Sequence, residues 1–372
     1  MSLIAEVHSK ALRLGIPLNV HVDITYRCNE RCQHCYLDHE DAGEMSTDEV
    51  KDGLRQLAQA GAFFLTISGG EPLLRRDCLE ILAYARKLSF NVKLKTNGLL
   101  IGEQQAAQLC ELGIEQVQIS VYSHRSSVHD SITKIRGSWL RTLEAIRRLK
   151  SQGLRVTIAN VLMKENIQDY AEVQALAREL GVHCTLDPTI TPKMDGNTDI
   201  LAMRISGDRL APVFHDPSLV GNVDEFCAPP GPVDDDILDG IPCSAGHTSC
   251  YISPYGDVYP CVQFPLTCGN LRKQSFWEIW RGSPQFKEVR SIRARELHTC
   301  SGCTHVGTCS RCPGLAYMEG DMRGPSRADC DKAYVRTGIP SAQMIKRSRD
   351  RNSVAASRLV QISIVEPCLP VD

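Results

Sequence analysis

The sequence predicts an α/β protein in which a parallel sheet carries a cysteine-based site and a second, cysteine-rich unit follows. Between residues 19 and 190 a strand, a loop and an amphipathic helix alternate repeatedly, a pattern that implies parallel strands joined by right-handed crossovers. The 17 cysteines are also unevenly spread. Three stand together at Cys28, Cys32 and Cys35, and their density rises again from Cys243 to Cys330.

The first strand is residues 19–25, NVHVDIT, where apolar and polar side chains alternate as on a half-buried strand. Ser46 to Glu49 then form a capping box, and Val50, Leu54, Leu57 and Ala58 fall on one helical face. The apolar run 63–67 is the second strand, followed by a helix marked by Leu79, Leu82 and Ala83. Residues 92–95 and 118–121 supply the third and fourth strands. Leu140, Leu143, Ile146 and Leu149 mark the next helix, closed by Gly153. Strands at 155–158 and 183–186 flank the last helix of the repeat, which carries Val173, Leu176, Ala177 and Leu180 before Gly181.

Periodicity then fades. Residues 191–242 are rich in proline, glycine and aspartate and read as a bridge, with a long functional loop as the alternative. The organisation expected is an N-terminal extension (1–18), a core (19–190), the bridge (191–242), a cysteine-rich domain (243–335) and a tail (336–372). In the tail, the basic run from Lys346 to Arg351 reads as a solvated surface and residues 359–365 alternate as a strand would.

Bulk properties exclude several classes. A chain of 372 residues can form two domains. A net charge of −2 and a pI near 6.6 give no electrostatic footprint for nucleic acid. No apolar run is long enough to span a membrane, and no signal peptide opens the chain. With so many cysteines, a reducing cytoplasm is the expected setting.

The chemistry concentrates in a few motifs. Cys28, Cys32 and Cys35 follow the C-terminal end of the first strand as Cys-x3-Cys-x2-Cys. Three thiolates can hold three irons of a [4Fe–4S] cube and leave the fourth open to a small molecule. After the second strand comes Ser68-Gly69-Gly70-Glu71-Pro72, whose glycines permit close backbone approach and whose acid could accept from an ammonium. Thr96-Asn97-Gly98 ends the third strand, Ser120 lies in the fourth, and His129-Asp130 precedes Ile135-Arg136-Gly137. Downstream stand Cys243, Cys250, Gly256-x4-Cys261, then Cys300-x2-Cys303-x5-Cys309-x2-Cys312, and Cys330. Taken alone, the paired cysteines also suit a zinc ribbon.

Together these motifs resemble the radical SAM enzymes with their C-terminal SPASM extension, over about residues 19–335. The resemblance implies a partial (β/α)6 barrel of the TIM type, open along one side, with a cysteine-rich SPASM domain. It implies a [4Fe–4S] cluster on Cys28, Cys32 and Cys35 that binds S-adenosylmethionine and cleaves it to a 5′-deoxyadenosyl radical. Carried over by motif, Gly69, Gly70, Glu71 and Pro72 would hold the cofactor's amino group and Ser120 a ribose hydroxyl. Asn97 belongs to the same set. Tyr36 would pack near the adenine and Arg136 would meet the carboxylate, although a packing tyrosine and a surface arginine are the plain alternatives. Two auxiliary [4Fe–4S] clusters would follow, one on Cys243, Cys250, Cys261 and Cys312, the other on Cys300, Cys303, Cys309 and Cys330. Should Cys250 not serve, the first would have an open iron or borrow Cys227 or Cys268.

Two departures from the family pattern matter. Cys309 and Cys312 are two residues apart where three is more usual, and Val262 follows Cys261 where sulfatase-maturing relatives carry an aspartate base. The expected activity is oxidation or cross-linking of a ribosomally made peptide, as in the enzyme of pyrroloquinoline quinone biosynthesis. Haem or other small-molecule cofactor synthesis is the alternative, and a non-catalytic electron carrier leaves the GGEP motif unexplained. An external donor such as flavodoxin or ferredoxin is implied. With some eighteen residues before the first strand, a separate leader-binding protein is expected.

Overall fold

The computed structural model describes residues 3–37, 39, 42–205 and 207–348. The strand-like stretch 359–365 and the end of the basic run lie outside the described residues.

Six strands alternate with helices as the sequence predicts: β1 (Asn19–Asp23), β2 (Phe64–Ser68), β3 (Asn91–Thr96), β4 (Gln116–Ser120), β5 (Val156–Val161) and β6 (His183–Asp187). They pair in parallel and in chain order. Alternate residues of every strand point to opposite faces. Val20, Val22, Leu65, Ile67, Val92, Leu94, Val117, Ile119 and Ile158 face the helices and are buried in one apolar core. His21, Ser68, Lys95, Gln118, Ala159 and Thr185 face the other way and line one cavity together. A sheet whose six strands all reach one cavity is curved around it, which makes it a partial barrel.

The helices of the repeat are α2 (Thr47–Gln59), α3 (Cys78–Lys87), α4 (Glu103–Glu111), α5 (Ser126–Thr133), α6 (Ser138–Ser151) and α7 (Tyr170–Glu179), and α1 (Leu3–Leu14) precedes β1. The Ser46 capping box at α2 forms in both directions. In α6 the buried stripe is Leu143, Ala145, Ile146 and Leu149, whereas Leu140 is 54% exposed, one position off the core-facing side.

The bridge is more ordered than its composition suggests. It holds α8 (Gly207–Phe214) and the short helices α9 (Pro217–Val220), α10 (Val223–Phe226) and α11 (Asp235–Asp239). Leu210 and Val213 of α8 are buried with Leu162 and Ile167, against Leu186 and Val335.

The cysteine-rich segment is built into the barrel sheet. Its first strand, β7 (Ser249–Ile252), pairs in parallel with β1, and β8 (Asp257–Tyr259) and β9 (Gly269–Asn270) continue the sheet antiparallel. Four helices follow: α12 (Phe276–Gly282), α13 (Pro284–Ser291), α14 (Pro313–Met318) and α15 (Arg327–Thr337). Phe276, Ile279, Trp280 and Phe286 join the same core as the barrel's apolar face. No helix among the described residues is long and apolar enough to cross a membrane.

Candidate active site and cluster sites

The loop after β1 carries the cysteine triad and contains little regular structure, so neighbouring elements hold it by hydrogen bonds. Arg31 N donates to Thr133 O at 3.1 Å and Gln33 N to Ile132 O at 3.0 Å. These carbonyls lie in the last turn of α5, where acceptors have no partner within the helix. On the other side Gly70 N donates to Thr25 O at 2.8 Å and Glu71 N to Arg27 O at 2.9 Å. A Cβ on Gly69 would stand 2.1 Å from Thr25 O, and one on Gly70 2.4 Å from Arg27 O. The glycines are thus what lets the β2 loop lie directly on the triad loop.

Cys28, Cys32 and Cys35 line one cavity of about 610 Å³ with Tyr36, Ser68, Gly69, Gly70, Asn97 and Ser120. Burial pushes the Cys28 thiol up to about 12, and those of Cys32 and Cys35 are raised by burial too. At Cys35 the charges of Lys193 and Arg31 pull the other way, but burial outweighs them, so all three thiols favour the protonated form until a cation binds. Bound iron supplies that charge, and sulfur-only donors suit an iron–sulfur cluster.

Not every expected cofactor contact faces this cavity. Glu71 is fully buried, and its oxygens accept from Leu73 N (3.0 Å), Asn97 N (2.8 Å) and Thr96 Oγ1 (2.8 and 2.9 Å). Its carboxylate thus takes three donors, two of them from the β3 end, and ties the GGEP loop to the TNG turn. Pro72 is buried at the start of a short helical turn. Arg136 is exposed and is not among the cavity residues. The neighbouring Asp130 instead accepts from Gly137 N (2.6 Å), Ser138 Oγ (2.9 Å) and Trp139 N (2.9 Å), so this stretch caps α6.

Several cavity residues escaped the sequence reading. Glu30, His34, Tyr122, His21, Lys95 and Gln263 all line it. Strand parity could have found His21 and Lys95, because both alternate with core residues. Asp23 beside them is fully buried, accepting from the Tyr251 hydroxyl at 2.9 Å, while His21 Nε2 lies 2.9 Å from Asp23 Oδ1. Burial lowers the Lys95 pKa.

The C-terminal cysteines fall into two groups. Cys243, Cys261 and Cys312 lie within electrostatic reach of one another, and burial pushes Cys261 up to about 11. Val262 and Gln263, next to Cys261, line the same cavity as the triad. Cys300, Cys303, Cys309 and Cys330 line a separate cavity of about 280 Å³. Burial raises Cys300 to about 11 and Cys309 to about 12. Four thiols lining one cavity supply the ligand number of a fully ligated cluster.

Cys250 lies within electrostatic reach of Cys261 but on a different face of the sheet. It pairs with Val20 in the β1–β7 register, while Tyr251 pairs with His21. Cys250 therefore faces the helix side of the sheet, buried in the apolar core with Cys268 and Trp280. Of the expected Cys243 group, Cys261 is the member whose charge reaches Cys250. Cys268 shares its pocket, and Cys227 lies in the bridge with its thiol 3.5 Å from Phe214 O.

A partial barrel with a thiol triad at the strand ends, joined to two further thiol groups, defines an iron–sulfur enzyme that activates a small cofactor beside an open iron. The chain belongs to the radical SAM superfamily, matched over residues 22–177, and carries a SPASM iron–sulfur cluster-binding domain, matched over residues 243–304. It is 30% identical to PqqA peptide cyclase of Xanthomonas axonopodis pv. citri, over 93% of this chain and 98% of that one. It is 29% identical to mycofactocin maturase MftC of Mycobacterium tuberculosis (91% and 89%). With AdoMet-dependent heme synthase of Methanosarcina barkeri the identity is 27% (79% and 90%). Among solved structures, SuiB of Streptococcus suis bound to precursor peptide SuiA shares the fold, with a TM-score of 0.69 at 18% identity over 88% of this chain and 80% of that one. The protein is a radical SAM enzyme, with [4Fe–4S] clusters and S-adenosylmethionine as cofactors.

Proposed function

We propose that this enzyme matures a ribosomally made peptide by oxidation or cross-linking. The observation that carries the reading is that the loop after Cys261 and the cysteine triad line one cavity. A substrate in the barrel would lie between the radical centre and an auxiliary site, as an oxidation requires. The full-length likeness to a peptide cyclase and a peptide maturase supports the same substrate class.

Cys28, Cys32 and Cys35 hold the first cluster, which with S-adenosylmethionine supplies the 5′-deoxyadenosyl radical that abstracts hydrogen. Backbone groups of Gly69 and Gly70, with Asn97, Ser120 and Tyr36, seat the cofactor. Cys243, Cys261 and Cys312 hold the first auxiliary cluster, and Cys300, Cys303, Cys309 and Cys330 the second. Polar side chains facing the lumen, including Gln118 and Thr185, offer hydrogen bonds to a peptide backbone. A flavodoxin or ferredoxin is the electron donor, a separate protein binds the leader peptide, and the setting is cytoplasmic.

The test is anaerobic reconstitution, an iron count, and an assay for 5′-deoxyadenosine with the precursor peptide encoded beside the gene. About twelve irons, turnover and a mass change on the peptide are expected. Turnover only with a tetrapyrrole would support the reading suggested by the heme synthase relative and overturn the peptide one.

A further inference from the structure

The second auxiliary site carries a charged residue that its ligands do not account for. Arg311 sits on the two-residue connector between Cys309, in the second thiol group, and Cys312, in the first. Its guanidinium is buried, with only 7% of the residue exposed. Nε donates to Gly324 O at 2.8 Å and Nη2 to Met322 O, which fixes the plane of the group. Nη1 is buried without a hydrogen-bond partner among the described residues. Arg311 lines the 280 Å³ cavity together with Cys300, and its positive charge lies within electrostatic reach of the Cys300 thiol.

Neutral groups stand beside two of the other sulfurs of this group: Ala342 N donates to Cys303 Sγ at 3.4 Å, and Ser341 lies beside Cys330. Asp329 also lies near Cys309 and Cys330, but its Oδ1 is 2.7 Å from Lys332 Nζ and its Oδ2 accepts from Cys312 N at 2.7 Å. The first group also has backbone N–H donors, Ala245 N to Cys243 Sγ at 3.4 Å and Leu315 N to Cys312 Sγ at 3.5 Å, but no cation is among the charges acting on Cys261 or Cys312.

We propose that Arg311 is a positioning residue that raises the reduction potential of the second auxiliary cluster by placing a desolvated positive charge within electrostatic reach of the Cys300 sulfur. Net charge and hydrogen bonds to sulfur are what set such potentials, and a charge acts strongly where water is excluded. One added electron makes the cluster more negative, so a fixed cation stabilises the reduced form more than the oxidised one. The shorter connector thus acquires a purpose, because it is this segment that carries the buried cation to the second site. The inference rests on that site holding a [4Fe–4S] cluster.

The experiment is a reductive titration of the fully reconstituted enzyme followed by electron paramagnetic resonance, with iron counted in each sample. A parallel series in a Cys28→Ala/Cys32→Ala/Cys35→Ala background removes the triad signal. Arg311→Gln, which can keep one carbonyl contact but loses the charge, should lower the reduced-to-oxidised ratio of one cluster at least tenfold at the wild-type midpoint. That is 59 mV for a one-electron couple. Arg311→Lys, which keeps the charge, should restore most of the loss, and the other clusters should not move. An unchanged midpoint in Arg311→Gln at full iron content overturns the proposal. If Arg311→Gln loads poorly, a midpoint in Arg311→Lys shifted as far as in the residual Gln cluster overturns it equally. Absence of the cluster from the wild-type protein would instead refute the ligand assignment on which the inference rests.

Discussion

The cysteines differ in what surrounds them: Cys261 adjoins residues that line the triad cavity, whereas Cys250 is buried in the apolar core. Thiols must ligate as a set, so spacing brought together the triad and the Cys300 group. Cys250 has the right type but lies on the wrong face of β7, because one residue of parity turns a strand side chain from one face to the other. Cys250→Ala should therefore leave the iron content unchanged and cost about 1 kcal/mol of stability through the small cavity it leaves. Cys261→Ala should lose about four irons. Equal iron loss in both would return Cys250 to the ligand set. A second residue-level consequence concerns acid stability. The Arg75 guanidinium, then Thr47, hold Asp77 down at about 2, against an ordinary value of 3.8. Because the folded pKa is depressed, this contact stabilises the protein above pH about 4 and the contribution disappears as pH falls toward 2. Asp77→Asn should cost about 1–2 kcal/mol at pH 7 and almost nothing at pH 2. Urea denaturation at both values would measure this, and an equal cost at both would show that the ion pair is not its source.

At the scale of elements, the strands were readable because their period of two survives in sequence, and the capping box announced α2. Helix α5 was not readable. Its segment holds only the motif residues His129 and Asp130, and its role emerges from carbonyls that receive the triad loop. The GGEP segment shows the same limit: its residues were found, but its glycines serve backbone contact and its glutamate ties two loops. Gly70→Ala tests that assignment. The added Cβ would meet both Arg27 O and Tyr26 O, at 2.4 and 2.5 Å, so the β2 loop must separate from the triad loop. We expect the triad cluster to be lost, about four irons, with both auxiliary clusters retained. Iron counting with electron paramagnetic resonance would read this. Retention of a triad cluster that still responds to S-adenosylmethionine would show that the contact is not required.

At the scale of the whole molecule, the sequence predicted two successive units, and the structure joins them through one sheet and one core. Nothing in the local pattern of residues 249–252 says that they pair with residues 19–22, because strand pairing over such a separation depends on the whole chain. Tyr251 is the link most open to test. Its side chain enters the barrel lumen, where its hydroxyl donates to the buried Asp23 carboxylate at 2.9 Å and lies 2.6 Å from the Tyr26 hydroxyl. Tyr251→Phe keeps the ring and its packing but leaves Asp23 short of a donor, a loss of about 1–3 kcal/mol. If the two units form one cooperative body, that loss must appear on both sides of the junction. Hydrogen exchange followed by mass spectrometry should then show faster exchange by the same factor in peptides covering 19–23 and 249–252. A change confined to 249–252 would mean that the cysteine-rich segment opens by itself, with the barrel stable beneath it. Matched changes would mean that the auxiliary sites cannot loosen without disturbing the strand that leads into the radical centre.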